Sequence, residues 1–138
     1  MIPENDNLGK IILFVEKNEF PDFIYPTKEA MRLVLDYKLP VMIYFNDIKD
    51  DHMVDIVKMV AKPYKEYFLL LIVNLHDLDK NPNKVRIEFF KNFMNVKSAP
   101  YLCILNLRKS LRRYKFIGNL EANMIDYFIQ NYLFENLK

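Results

Sequence analysis

Val41-Met42-Ile43-Tyr44-Phe45 is an unbroken apolar run, entered through Leu39-Pro40. A strand that faces water on one side alternates apolar with polar residues, whereas one covered on both faces reads as a continuous run. The stretch therefore predicts a central strand with cover above and below it. Phe68-Leu69-Leu70-Leu71-Ile72-Val73 repeats the pattern, and Tyr101-Leu102-Cys103-Ile104-Leu105 supplies a third strand. Between the first two runs lies a helical pattern from Asp50 to Tyr67. It carries Met53, Ile56, Val57 and Val60 on one face, and Pro63 is set to kink it.

Outward from this centre the pattern stays alternating. Upstream, Leu8 to Phe20 has near-helical apolar spacing and stops at Pro21; Asp22-Phe23-Ile24-Tyr25 reads as a short strand ended by Pro26. Thr27 can cap the next helix, which turns Ala30, Met31, Val34 and Leu35 inward. Downstream, Pro82 to Phe93 is helical, with Val85, Phe89, Phe90 and Phe93 recurring at helical spacing. Arg112 to Ile117 reads as a fourth strand, near enough to the third to form a hairpin. Glu121 to Leu137 closes the chain as an amphipathic helix with Met124, Ile125, Phe128, Ile129, Tyr132 and Leu133 inward. Helices between buried strands imply parallel βαβ crossovers, so the fold class is α/β: a mixed sheet with helices on both faces.

Composition narrows the function classes. The 138 residues fit one domain, 1–138, able to bury about two-thirds of its surface. A net charge of +2, spread along the chain, gives no electrostatic surface for nucleic acid. Arg108-Lys109 and Arg112-Arg113 read as a solvated edge or turn. The longest apolar run, Phe68 to Val73, is far short of the ~20 residues that span a bilayer, so no membrane partner is expected. Neither terminus reads as a targeting signal, and the chain is read as a piece of a longer multidomain protein. The single cysteine, Cys103, excludes an internal disulfide, a two-thiol redox site and a cysteine-based zinc site.

From Leu39 onward the local sequences resemble a thioredoxin domain. Pro40 to Phe45 resembles the strand that leads to the family's active site, and Leu70 to Asp77 the next strand with its acidic end. Ser98-Ala99-Pro100-Tyr101-Leu102 sits where the family has its cis-proline, and Phe116-Ile117-Gly118 resembles its last strand and glycine turn. Aligned so, the family's C-x-x-C falls on Asp50-Asp51-His52-Met53, which has neither the attacking nor the resolving thiol. The resemblance therefore implies a domain without catalytic residues or cofactor. Leu8 to Tyr25, Val85 to Phe90 and Ile125 to Ile129 narrow it to the redox-inactive b-prime domain of protein disulfide isomerases.

That resemblance implies a specific role. The b-prime domain holds unfolded or partly folded polypeptides in an apolar groove for flanking catalytic thioredoxin domains, in the lumen of the endoplasmic reticulum. Carried over by position, the groove involves Phe23, Tyr25, Met31, Leu35, Val41, Ile87 and Phe90, and Pro100 is expected to be cis. Each groove residue also suits a packed core, because aromatic and aliphatic residues at helical spacing usually turn inward. A homodimer through the groove, a structural spacer and a docking domain for one folded partner are the other roles open to such a domain.

Other constellations are weaker. Asp77 to Glu88 matches a calcium loop at its first, third, fifth and twelfth positions, but Pro82 stands where a glycine must make the sharp turn. It reads as a strand-to-helix loop. His52 and His76 have no partner at ligand spacing, so no metal is expected, and Cys103 in mid-strand reads as a buried structural thiol.

Overall fold

The computed structural model describes residues 22–37, 40–47, 51–106 and 113–136. The helix expected over Leu8 to Phe20 lies outside them. Four helices are described: α1 (Lys28–Tyr37), α2 (His52–Ala61), α3 (Lys84–Phe93) and α4 (Ala122–Asn136). The strands are β1 (Val41–Asn46), β2 (Leu69–Asn74), β3 (Tyr101–Leu105) and β4 (Arg113–Lys115), in the spatial order β2-β1-β3-β4. β1 pairs parallel to β2, with Val41 opposite Leu69, as a crossover through α2 requires. It pairs antiparallel to β3, with Tyr44 opposite Leu102, and β3 pairs antiparallel to β4.

The unbroken apolar runs are explained by what covers them. Every residue of β1 is buried. Because side chains alternate, Met42 and Tyr44 pack with Val54, Val57 and Val60 of α2 and with Ile125, Phe128 and Ile129 of α4. Val41, Ile43 and Phe45 point the other way, into a second core with Ala30 of α1, Ile87 of α3, Met94 and Cys103. At about 1.5–3 kcal/mol for each large apolar side chain buried, the central strand stabilises both half-cores at once.

Pro63 acts as expected: α2 gives way to a 3-10 turn, Lys62–Tyr64, at that residue. The Tyr64 hydroxyl donates to Asp126 Oδ1 at 2.6 Å, and Gln130 Nε2 donates to Tyr64 Oη at 3.2 Å and to Asp126 Oδ2 at 2.7 Å. These bonds tie the turn to α4. At the end of α3, Asn95 adopts a left-handed conformation with φ 54. Its N–H donates to the Asn92 carbonyl and the Val96 N–H to the Lys91 carbonyl, both at 3.1 Å, which is the paired closure of a Schellman motif.

Two expectations are corrected, the strand at Asp22 to Tyr25 and the inward Met124, and the buried face of α3 is resolved. Asp22 to Tyr25 forms no strand; Ile24 alone makes a parallel bridge to Leu71, with its N–H on the Leu70 carbonyl at 2.8 Å. Pro26, which has no N–H to donate, ends the pairing there. On α3, Val85, Phe89 and Phe93 are exposed and the buried stripe is Ile87, half-buried Phe90 and Met94. Two apolar stripes compete on this helix, and the sheet takes the one that closes on Phe45. On α4, Met124 is exposed, because it lies one position off the Ile125, Phe128, Ile129 and Tyr132 stripe.

Candidate functional site

Two recesses among the described residues lie beside the sheet. The larger, about 580 Å³, lies at the start of α2, where His52 and Met53 meet Pro100, Tyr101, Phe116 and Gly118. The Ala99–Pro100 bond is cis, as expected. Gly118 has φ 126, a conformation L residues rarely adopt, and it bends the chain from Phe116 toward α4. His52 is exposed at the rim of this cleft. The chain's one thiol is nearby in sequence but unusable. Cys103 is fully buried, and burial pushes its pKa up to about 12 even though the Arg113 charge acts in the opposite direction. A thiol that stays protonated neither attacks a disulfide nor binds a metal.

The second recess, about 370 Å³, lies between α1 and α3. Met31 and Phe90 contribute from the two helices, and Phe90 stacks on Phe45 of the central strand at 5.9 Å and 27°. Phe89 lines the outer side; it is 71% exposed and stacks with Phe93 at 6.4 Å and 15°. Lys28, Arg32 and Arg86 complete the lining.

The seven residues expected to form a groove divide into groups. Met31 and Phe90 line the recess. Val41 of the central strand and Ile87 of α3 are buried in the core on that side of the sheet, 2% and 1% exposed, and do not line the recess. Leu35 belongs to α1, but its side chain lies outside the described residues. Phe23 and Tyr25 are elsewhere. They alternate with Ile24, so when Ile24 enters the core beneath α1 and α3 they point to the opposite face. There Phe23 packs against the α2 and α4 core, meets Tyr25 edge-on at 5.4 Å, and lies under the Lys58 ammonium at 3.8 Å. Phe89 and the three cations were missed by sequence reasoning. Adjacent aromatic residues on a helix point about 100° apart, so Phe89-Phe90 could have signalled that one ring faces outward.

The loop between β2 and α3 is the strand-to-helix connection its proline implied. Asp79 pairs with Lys84 at 2.6 Å, and this lowers the Asp79 pKa through the hydrogen bond and then the charge. Among the described residues, no group of three or more His, Cys, Asp or Glu side chains comes together to hold a metal ion. No described helix is long and apolar enough to cross a membrane.

No protein-family model matches the chain, and no curated protein matches it. Solved structures do. The J-Trx1 fragment of ERdj5 superposes with a TM-score of 0.62 at 14% identity, over 86% of this chain and 53% of that one. Human ERp44 in its zinc-bound form gives 0.58 at 17%, over 88% of this chain and 32% of that one. Chloroplastic thioredoxin z gives 0.55 at 12%, over 79% of this chain and 92% of that one. The chain has a thioredoxin-like fold. It spans about half the length of the ERdj5 fragment and nearly all of thioredoxin z. With one cysteine, this thioredoxin-like chain has no C-x-x-C dithiol.

Proposed function

We propose that this chain is a redox-inactive, substrate-binding domain of the b-prime kind found in protein disulfide isomerases. It holds unfolded or partly folded polypeptides in the recess between α1 and α3 and performs no chemistry itself. In this reading it is one unit of a longer protein in the lumen of the endoplasmic reticulum, and flanking catalytic thioredoxin domains act on what it holds. The observation that carries the reading is Phe89, a large apolar ring left exposed beside Met31 and Phe90 at the mouth of an apolar recess. Rings and a flexible thioether offer adaptable contact area with little sequence discrimination, which suits unfolded chains.

A second reading has its own support. Val85, Phe89 and Phe93 form an exposed stripe at i, i+4 and i+8 on α3, a surface that also suits docking to one folded partner. A titration of the isotopically labelled chain with an unfolded apolar peptide distinguishes the two. Saturable shifts around Met31, Ile87 and Phe90, weakened by Phe90→Ala, are expected. An absence of shifts at high peptide concentration would overturn the substrate-binding reading in favour of a spacer or docking domain. A homodimer through the same face is tested by the sedimentation of the chain with and without peptide.

A further inference from the structure

The recess between α1 and α3 is apolar inside and cationic at its edge. Met31, Phe89 and Phe90 supply the apolar surface, and Lys28, Arg32 and Arg86 stand around it with no carboxylate among the described lining residues. Among the described residues, the ion pairs formed are those of Lys62 and Lys65 with Asp22, His76 with Asp77, and Lys84 with Asp79; none involves these three cations. Arg86 Nη1 donates to Asn83 Oδ1 at 2.7 Å, a neutral partner that orients the guanidinium without cancelling its charge. The apolar surface continues outward from the recess, because Phe89 stacks with the exposed Phe93.

We propose that the occupant of this recess is an acidic-apolar polypeptide segment. An aromatic or aliphatic anchor sits on Met31, Phe89 and Phe90, and carboxylates on either side of it pair with Lys28, Arg32 and Arg86. The inference rests on the substrate-binding reading above and names the class of substrate that the same site prefers. Charge decides between the occupants. A second copy of this chain would set the same cations against each other, and like charges brought together across an interface cost affinity. A segment with no charge would cover the rings but leave three cations crowded by the bound chain without a counter-charge. An acidic-apolar segment satisfies both parts of the surface. Its rim pairs are solvent-exposed, so they contribute selectivity and association rate, and salt weakens them.

The test uses four fluorescently labelled peptides of equal length, titrated into the full chain by anisotropy. Three share one apolar anchor cluster flanked by Glu, by Gln or by Lys; the fourth has the Glu flanks but no apolar residues. The Glu-flanked anchor peptide is expected to bind about tenfold more tightly than the Gln-flanked one. Raising salt from about 0.1 M to about 1 M, which shortens the screening length about threefold, should erase that advantage. The triple variant Lys28→Glu, Arg32→Glu, Arg86→Glu should prefer the Lys-flanked peptide. The milder pair Lys28→Gln, Arg86→Gln should reduce the acidic preference, leaving the part due to Arg32, while the melting curve still shows a folded chain. Equal binding of the Glu- and Gln-flanked peptides, both weakened by Phe90→Ala, would overturn the acidic preference and leave the substrate-binding reading standing. Binding of the Glu peptide without its anchor as tightly as with it would overturn the two-part surface. Failure of all four peptides to bind would overturn the substrate-binding reading, and this inference with it.

Discussion

Burial pushes the Cys103 thiol up to about 12 from its ordinary 9.0, and burial followed by the Asp47 charge pushes the Tyr44 hydroxyl up to about 12 from 10.0. Both groups are acids held neutral in the folded chain. Between pH 9 and 12 the unfolded chain releases protons that the folded chain keeps. Their contribution is therefore complete below pH 9 and is lost as pH rises, at about 1.4 kcal/mol per pH unit for each group in its window. Urea denaturation from pH 8 to pH 11 should show stability falling, more steeply above pH 10 as Tyr44 joins Cys103. Iodoacetamide should modify Cys103 in the native chain only as fast as the chain opens. Modification at the rate of a free thiol would contradict its burial. The α3 rings give a sharper contrast. Phe89→Ser should change stability by less than about 0.5 kcal/mol, whereas Ile87→Ala should cost about 2–5 kcal/mol. Equal costs in chemical denaturation would overturn the assignment of the buried stripe. Cys103 was legible because it stands inside an apolar run. The orientation of Phe89 was not, because Val85, Phe89 and Phe93 make as regular a helical stripe as Ile87, Phe90 and Met94, and the choice between them is made by the core they pack against, Phe45 included.

The strands were the most legible elements, since β1, β2 and β3 are each a run that only a two-sided cover explains. Asp22 to Tyr25 misled because four residues between prolines can pair once but cannot extend a ladder; one bridge at Ile24 is the result. The same shortness hides the direction of Phe23 and Tyr25, which depends wholly on which way Ile24 points. The closure of α3 is a detail no periodicity reveals. Asn95 takes the left-handed position that glycine usually fills, and asparagine tolerates it through its short polar side chain. Asn95→Gly should leave the urea midpoint unchanged or raise it slightly, and Asn95→Val should lower stability by about 1–2 kcal/mol. Similar midpoints for the two variants would show that this turn does not depend on its conformation.

For the molecule as a unit, the absence of a dithiol and the presence of a thioredoxin-like fold are separable facts. The sheet order, the cis bond at Pro100 and the cleft beside it are present although the chain has a single cysteine. The chain should therefore fail to accelerate the reduction of insulin by dithiothreitol above the uncatalysed rate; measurable turnover would point to chemistry no residue here accounts for. The division of the predicted groove has the same origin. Positional analogy placed seven residues around one surface, but a sheet has two sides, and one-residue alternation sends Phe23 and Tyr25 away from Met31 and Phe90.

The stacking of Phe90 on Phe45 carries one more consequence. Phe45 belongs to a strand hydrogen-bonded on both edges and covered on both faces, where amides exchange with solvent only when the chain unfolds as a whole. In the proposed binding, the strand beneath Phe90 thus has nothing to order when a guest arrives, and the conformational entropy lost is confined to the outer side chains, Met31 and Phe89 with the cations Lys28, Arg32 and Arg86. On that proposal a guest is gripped and released by rotamer changes at the mouth, on a timescale far shorter than any opening of the sheet beneath it.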